Sequence, residues 1–72
     1  MSEKIRFYRR IRDLREDSDF TQAYVAKKIG LYTTRYQTYE RGEAKVPAQV
    51  IEKLARFYQV KSDYILELTD KK

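Results

Sequence analysis

Several chemically useful residue types are missing from this chain. It holds no cysteine and no histidine, which excludes disulfides, thiolate nucleophiles, imidazole general bases and the usual zinc ligand sets. We therefore predict that the protein is not an enzyme and that it needs no cofactor and no metal.

Long apolar runs are missing as well. A membrane-spanning helix needs about 18 consecutive apolar residues, and the chain has no such run. Residues 1–17 carry charges throughout, unlike a secretory signal with its charged head and apolar middle. We expect a cytoplasmic protein without a membrane partner. Its 72 residues suffice for one domain.

Glycine and proline are scarce. Two glycines and one proline are too few for an all-β meander, while apolar residues recur at spacings of three and four almost everywhere. The sequence therefore predicts an all-α fold.

The first three helices have clear boundaries. Helix 1 is predicted over residues 3–16, with an apolar stripe of Phe7, Ile11 and Leu14, and the acidic run at 16–19 ends it. Thr21 can cap helix 2, and Gly30 can end it in the left-handed conformation. Helix 3 is predicted between Tyr32 and Gly42.

Two further helices complete the prediction. Pro47 suits the first turn of helix 4, whose broad apolar face comprises Val50, Ile51, Leu54, Phe57 and Tyr58. Ser62 or Asp63 can cap a short helix 5, and residues 69–72 are expected to form a frayed tail.

Positive charge is unevenly distributed. The net charge is +5, and residues 1–45 contain 11 of the 16 basic residues but 7 of the 11 acidic ones. A polyanion such as nucleic acid is a natural partner for this surplus, although solubility explains a mild excess equally well. The basic stripe of helix 1 either flanks DNA or is a solvated face (Arg6, Arg9, Arg10 and Arg12).

Helix 3 has two different faces. Its segment, residues 31–42, reads LYTTRYQTYERG. Tyr36, Tyr39 and Glu40 fall on one side, where aromatic side chains at helical spacing favour a core position. The other side has no acid and offers hydroxyls, a carboxamide and a guanidinium group, which suit base edges and phosphates (Thr33, Thr34, Gln37, Thr38 and Arg41). Two short helices joined by a glycine turn over residues 21–41 are typical of a helix-turn-helix.

The chain resembles the phage-repressor-like, Cro/C1-type (XRE family) helix-turn-helix DNA-binding domains. The similar segments cover residues 7–68 and include IRDLRED at 11–17, YERG at 39–42, KLARFYQV at 53–60, and the single residues Thr21, Gln22, Ala26, Gly30 and Pro47. The resemblance implies one compact five-helix lambda-repressor-like domain over residues 1–72. It also implies sequence-specific binding to double-stranded DNA by a small transcriptional regulator, expected to be a repressor, with helix 3 (33–41) in the major groove.

The resemblance implies a role for each matching position. Base contacts are implied for Thr33, Thr34, Gln37 and Thr38, and contacts to the DNA backbone for Gln22, Tyr32, Arg35, Arg41 and Lys45. Gln22 would also support helix 3. Arg15 and Glu40 are implied to form a structural ion pair, and since Glu40 is the only acid of helix 3, a cationic partner for it also has an electrostatic reason.

Some positions depart from the family pattern. Tyr32 stands where a serine or threonine usually caps helix 3, which leaves open a shift of the cap to Thr33. Tyr36 replaces an aliphatic residue, so its hydroxyl needs a partner or access to the surface. Gln59 and Lys61 replace the usual glycine at the end of helix 4 and the usual cap of helix 5.

Three hypotheses remain at this stage. The first is a DNA-binding regulator acting as a homodimer, because one recognition helix makes few base contacts. The second is the DNA-binding antitoxin or controller protein of a toxin or restriction system, with a protein partner such as a toxin or an anti-repressor. The third is a helical adaptor that binds an acidic protein. The predicted dimer surface consists of residues that could equally close the core (Tyr58, Tyr64, Ile65 and Leu68).

Overall fold

The structure is a computed structural model and describes residues 8–72. Within that range the chain forms five helices and no strand, as predicted: α1 Arg9–Asp17, α2 Gln22–Lys28, α3 Thr33–Glu40, α4 Ala48–Tyr58 and α5 Ser62–Ile65. None of these described helices is both long enough and apolar enough to cross a membrane.

Helix α1 begins later and ends later than predicted. Tyr8 is its non-helical N-cap, with φ −100° and ψ 85°. The prediction of a continuous helix over residues 3–16 is therefore wrong at residue 8. Phe7 and the predicted start near residue 3 lie outside the described residues. At the other end Asp19 adopts a left-handed φ of 58°, and the Phe20 N–H donates to the Arg15 carbonyl at 3.1 Å. The acidic run thus ends α1 because aspartate tolerates this conformation.

The caps of α4 and α5 differ from the prediction. Pro47 is the N-cap of α4 rather than a member of its first turn, with an extended ψ of 151°. Lys61 takes the same position before α5, with ψ 143°, so neither Ser62 nor Asp63 is the cap. Asp63 lies instead in the first turn of α5, where the helix dipole favours a carboxylate.

One hydrophobic core joins the five helices. Helix α2 lies against α3, α4 against α5, and α1 against both α3 and α5. The buried apolar residues come from every helix and from the loops beside α2 and α4: Ile11, Leu14, Val25, Ala26, Ile29, Tyr36, Tyr39, Val46, Val50, Ile51, Leu54, Ala55 and Ile65. The predicted stripes of α1 and α4 and the tyrosine face of α3 all contribute to it.

Arg10 connects α1 to the end of the chain. Its guanidinium donates to the Tyr64 carbonyl at 2.8 Å, to the Thr69 carbonyl at 2.5 Å and to the Asp70 carboxylate at 2.8 Å. The guanidinium carbon also lies 4.2 Å from the centre of the Tyr64 ring. Arg10 therefore belongs to the fold rather than to an open basic stripe, and it contacts the first two residues of the tail that was expected to fray.

Gln59 offers a test of how α4 ends. It adopts a left-handed φ of 57°, which is strained for a residue with a side chain, and glycine removes that strain. We expect Gln59→Gly to raise the free energy of unfolding by about 0.5 to 1 kcal/mol, measured by urea denaturation. The matched control is Gln49→Gly in the exposed part of α4, which should lower it by a similar amount. A loss of stability at both positions would contradict the strain argument.

Candidate nucleic-acid interface

Both ends of α2 are fixed by local contacts. The Thr21 hydroxyl accepts the Tyr24 N–H at 3.1 Å, as predicted for a cap. At the other end Gly30 has a φ of 77°, and the Leu31 N–H donates to the Ala26 carbonyl at 2.8 Å. Among the described residues nothing lies within 4 Å of a Cβ added to Gly30. Glycine is therefore favoured here by the left-handed backbone and not by lack of space.

Helix α3 starts at Thr33, with Tyr32 in the N-cap position. Tyr32 is extended, with φ −69° and ψ 147°, and its side chain makes no capping hydrogen bond. A shift of the cap to Thr33 is therefore wrong, because the backbone alone defines the start of the helix. The Tyr32 side chain is 85% exposed, so its phenol group is free to meet a ligand at the entry to α3.

The two faces of α3 are separated as the sequence predicted. Tyr36, Tyr39 and Glu40 are buried. Thr34 and Arg35 are exposed, while three neighbours on the outward side are half-buried (Thr33, Gln37 and Thr38). No aspartate or glutamate of α3 faces outward, since its single acid is the buried Glu40. The helix therefore presents hydroxyl, amide and guanidinium groups to solvent.

Glu40 and Arg15 form a two-point ion pair between α3 and α1. Arg15 Nε donates to Glu40 Oε2 at 2.6 Å, and Nη2 donates to Oε1 at 3.1 Å. The two side chains are only 15% and 3% exposed. Arg15 Nη1 also donates to the Phe20 carbonyl at 2.9 Å, which orients the guanidinium. The structure thus brings together the two residues expected to pair.

Burial and the Arg15–Glu40 pair shift the pKa values of three side chains at this site, those of Glu40, Tyr36 and Tyr58. Burial opposes ionisation of Glu40, but hydrogen bonds from Arg15 and Gln22 and contact with Tyr36 together hold the pKa of its carboxyl below the usual range. Burial, followed by the side-chain contact with Glu40 and then the Glu40 charge, raises the pKa of Tyr36. Burial, followed by the Glu40 charge, raises the pKa of Tyr58 to about 12. The Glu40 carboxylate is therefore charged at neutral pH and both phenols are neutral.

The Tyr36 hydroxyl is neither exposed nor well hydrogen-bonded. Tyr36 is 0% exposed, and its phenol oxygen has no hydrogen-bond partner of good geometry among the described residues. The hydroxyl therefore does not reach the surface, and the nearby Glu40 side chain is the polar partner that acts on it. The proximity of the Glu40 carboxylate, which raises the pKa of this phenol after burial, is the polar contact that takes the place of such a bond.

A chain of hydrogen bonds runs from this ion pair to the outward face. Gln22 Nε2 donates to Glu40 Oε1 at 3.2 Å, and Gln37 Nε2 donates to Gln22 Oε1 at 3.0 Å. The two glutamines were predicted to contact DNA in different ways, and the structure places them side by side. Because an amide has two N–H groups and an oxygen with two lone pairs, Gln37 keeps both a donor and an acceptor for a ligand.

Thr38 is partly committed to its own helix. Its hydroxyl donates to the Arg35 carbonyl at 2.6 Å. A hydroxyl has one proton and two lone pairs, so Thr38 can still accept a hydrogen bond. Thr38 is therefore suited to a donor on a ligand, such as an exocyclic amino group, rather than to an acceptor.

The predicted phosphate-binding cations differ in their surroundings. Arg35 and Lys45 are exposed. Arg41 Nη2 instead donates to Glu43 Oε1 at 2.9 Å, with both side chains about half exposed. This contact raises the pKa of Arg41 and lowers the pKa of Glu43. An anion approaching Arg41 must therefore compete with the Glu43 carboxylate.

A polar cleft of about 820 Å³ lies beside these groups. It contains the Arg15–Glu40 pair and Gln22, and is completed by Arg12, Thr21, Arg41 and Glu43. The sequence reasoning did not assign Glu43 to the site. The only sign of this role in the sequence is that an acid follows Arg41 by two residues. Whether two exposed side chains at that spacing form an ion pair depends on their conformations, which the sequence does not specify.

The fold and this surface define a helix-turn-helix module. Residues 6–68 match the family described as a helix-turn-helix domain, and the chain belongs to that family. Two solved structures share its fold, both of the P22 c2 repressor. One is a complex with a synthetic operator, with a TM-score of 0.74 and 24% identity, covering 83% of this chain and 92% of that one. The other is the DNA-binding domain in solution, with a TM-score of 0.77 and 23% identity, covering 97% and 96%. The predicted repressor-like five-helix fold is confirmed.

Two curated relatives are more similar in sequence. An uncharacterised HTH-type transcriptional regulator, YobD of Bacillus subtilis, is 41% identical over 64 residues, which is 89% of this chain and 57% of the relative. The transcriptional repressor RstR of the cryptic phage CTXphi in Vibrio cholerae is 43% identical over 54 residues, which is 75% of this chain and 49% of the relative. The chain thus spans about half the length of these relatives. Family and fold are those of DNA-binding regulators.

The Arg15–Glu40 pair leads to a stability prediction. Arg15→Ala leaves a buried carboxylate without its cation, so we expect it to lower the free energy of unfolding by about 3 to 5 kcal/mol, measured by thermal and urea denaturation. The matched control is Arg12→Ala, which removes an exposed pair with Glu16 whose atoms lie 3.3 Å apart. That control should cost no more than about 0.5 kcal/mol.

The pH dependence provides a second readout of the same variant. Because the folded-state pKa of Glu40 is lowered, its stabilising contribution is present above the usual carboxyl pKa of 4.5 and is lost as the pH falls through the lowered value. The difference in unfolding free energy between wild type and Arg15→Ala should therefore shrink as the pH falls below 4.5. A difference that stays constant with pH would show that Arg15 acts by packing and not through the Glu40 charge.

Proposed function

We propose that this chain is a sequence-specific double-stranded DNA-binding domain of a transcriptional regulator, acting as a repressor, with α3 in the major groove. The observation that carries the proposal is the outward face of α3, which has no acid and is connected through Gln22 to the buried Arg15–Glu40 pair. The names of its relatives, a transcriptional regulator and a transcriptional repressor, support the same role. Such a regulator acts in the cytoplasm, where the bacterial or phage DNA lies.

Base contacts are proposed for four residues of α3: Thr33, Thr34, Gln37 and Thr38. Thr34 is exposed, and no hydrogen bond within the described residues occupies its hydroxyl, so it is free to meet a base edge. Gln37 retains a donor and an acceptor, the pair that binds adenine in the major groove. Its bond to Gln22 holds the amide in one orientation, which favours selective recognition.

Backbone contacts are proposed for Gln22, Tyr32, Arg35, Arg41 and Lys45. These residues lie around α3 at the start of α2, the entry to α3, its outer edge and the loop after it. Contacts to phosphates fix the register of a protein on DNA, while base contacts provide the sequence preference.

A homodimer is proposed as the binding form. An apolar groove of about 380 Å³ lies between α4, α5 and Tyr8, with Val46, Ile51 and Leu66 in its lining. Of the residues predicted for the dimer surface, Leu68 is 67% exposed, whereas Ile65 is fully buried and therefore belongs to the core. Two copies that bind half-sites about one helical turn apart would make up for the few base contacts of a single α3.

The decisive experiment is selection of binding sites from random duplex DNA, carried out with the wild type, Thr34→Ala and Lys45→Ala. The wild type should enrich a palindromic site. Thr34→Ala should lose preference at one position of each half-site, at a cost of about 1 to 3 kcal/mol. Lys45→Ala should weaken binding to all sequences and make the salt dependence shallower by about 0.9 for each phosphate that the variant no longer neutralises.

Lys61→Ala, a change of another exposed lysine, is the control for Lys45→Ala and should keep the wild-type salt slope. Since Lys45 also lines the apolar groove, sedimentation of the variant distinguishes weaker phosphate binding from a weakened dimer. If the wild type enriches no palindromic site, the proposal is wrong and a partner-dependent role is favoured.

The Arg41–Glu43 pair gives a second binding prediction. Glu43→Gln removes a carboxylate that competes with phosphate for Arg41, so we expect tighter DNA binding at low salt, measured by fluorescence anisotropy. Glu67→Gln is the matched control, because it makes the same charge change at an exposed residue after α5. Equal gains in the two variants would show that net charge alone is responsible and that Arg41 does not hold a phosphate.

A further inference from the structure

A second basic surface lies between the end of α2 and the second half of α4. It is a groove of about 560 Å³ lined by four cations, Lys27, Lys28, Lys53 and Arg56, together with Ile29, Gly30 and Phe57. We call it the α2–α4 groove. It shares no lining residue with the polar cleft beside α3, and none of the residues proposed to contact DNA lines it.

The positive charge of the α2–α4 groove is not compensated by acidic side chains. No aspartate or glutamate is among the described residues that line it. The ion pairs found between residues 8 and 72 use other cations, namely Arg10, Arg12, Arg15 and Arg41. Lys28 instead lies over the Tyr24 ring, with Nζ 5.4 Å from the ring centre.

The dipoles of α2 and α4 compensate only part of the positive charge in this groove. Lys27, Lys28 and Arg56 lie in the last turns of α2 and α4, where the carbonyl ends carry about half a negative charge per helix. Two such ends balance about one of the four cations. The remaining excess, gathered in one concave surface, favours an anionic partner.

An apolar ledge borders the same groove. Phe57 is half-buried in the groove and packs at tilted angles against Phe20 and Tyr24, whose ring centres lie 5.6 and 6.3 Å from its own. Tyr24 is 42% exposed. The groove therefore offers an aromatic surface next to its cations, a combination suited to large apolar side chains flanked by carboxylates.

We propose that the α2–α4 groove binds an acidic segment of a partner protein that carries an aromatic or large aliphatic side chain among its carboxylates. The cations would pair with the carboxylates, and the apolar side chain would pack on Tyr24 and Phe57. A DNA backbone also carries negative charge, but its sugars present no large aromatic or aliphatic side chain to this ledge, so the ledge favours a protein segment. The proposal goes beyond DNA binding and does not depend on it.

The test uses the 72-residue chain and a labelled peptide of alternating glutamate and serine with one central phenylalanine. We expect saturable binding at low salt by fluorescence anisotropy, with amide NMR shifts at Lys28 and Phe57 and none at Thr34. Replacing the central phenylalanine by serine should weaken binding about tenfold, as expected for loss of one buried aromatic side chain.

Charge reversal identifies the surface. Lys53→Glu combined with Arg56→Glu should weaken peptide binding at least about tenfold. The matched control, Lys61→Glu with Lys71→Glu, makes the same change in net charge at exposed positions outside the groove and should retain most of the affinity. If the reversed groove variant does not fold, Lys53→Gln with Arg56→Gln should show a loss in the same direction.

Three outcomes would overturn the proposal. Equal weakening by groove and control variants would assign the effect to net charge. NMR shifts on α3 would place the peptide on the DNA surface. Amide NMR shifts at Lys28 and Phe57 on addition of duplex DNA would assign the α2–α4 groove to DNA, and this result would leave the α3 proposal standing.

Discussion

The helix-turn-helix is held to the rest of the domain by the buried carboxylate of Glu40. This side chain accepts hydrogen bonds from Arg15 of α1 and from Gln22 of α2, so one residue of α3 connects three helices. A carboxylate removed from water costs several kcal/mol unless it is both paired and hydrogen-bonded. The position of α3 against α1 and α2 therefore depends on a single charge and on the geometry that satisfies it.

The same carboxylate also shapes the electrostatics of the outward face. If Glu40 were exposed, α3 would present a negative charge to DNA, whereas its burial against Arg15 neutralises that charge on the inner side of the helix. Gln22 also positions Gln37 on the outward face, because its amide donates to Glu40 and accepts from Gln37. An apolar pair replacing Arg15 and Glu40 could be equally stable, but it would leave Gln22 without its acceptor. The pair therefore positions Gln22 as well as contributing to stability.

The parts of the structure that depend on periodicity and on special backbone conformations could be predicted from the sequence. The tyrosine spacing of α3 predicted its buried face, and Gly30 marked the turn because of the left-handed conformation it adopts. The N-cap of α4 at Pro47 was mispredicted, and for α5 the family pattern pointed to Lys61 while the polar side chains pointed to Ser62 or Asp63, because both ends are set by backbone conformation, with no side-chain cap. The contacts of Arg10 with the end of the chain join residues 54 to 60 positions apart, a separation for which a single sequence provides no local signal.

The two proposed binding surfaces lie at opposite ends of α2. Gln22 begins this helix and Lys28 ends it, a separation of about 9 Å at a rise of 1.5 Å per residue. That distance slightly exceeds the Debye length of about 8 Å at physiological salt, so repulsion between DNA phosphates near Gln22 and carboxylates near Lys28 would be largely screened there and stronger at low salt. Binding of an acidic partner would then weaken DNA binding, and by linkage DNA would weaken the partner to the same extent. Because the Debye length grows as the salt concentration falls, the α2–α4 groove would influence DNA binding mainly at low salt.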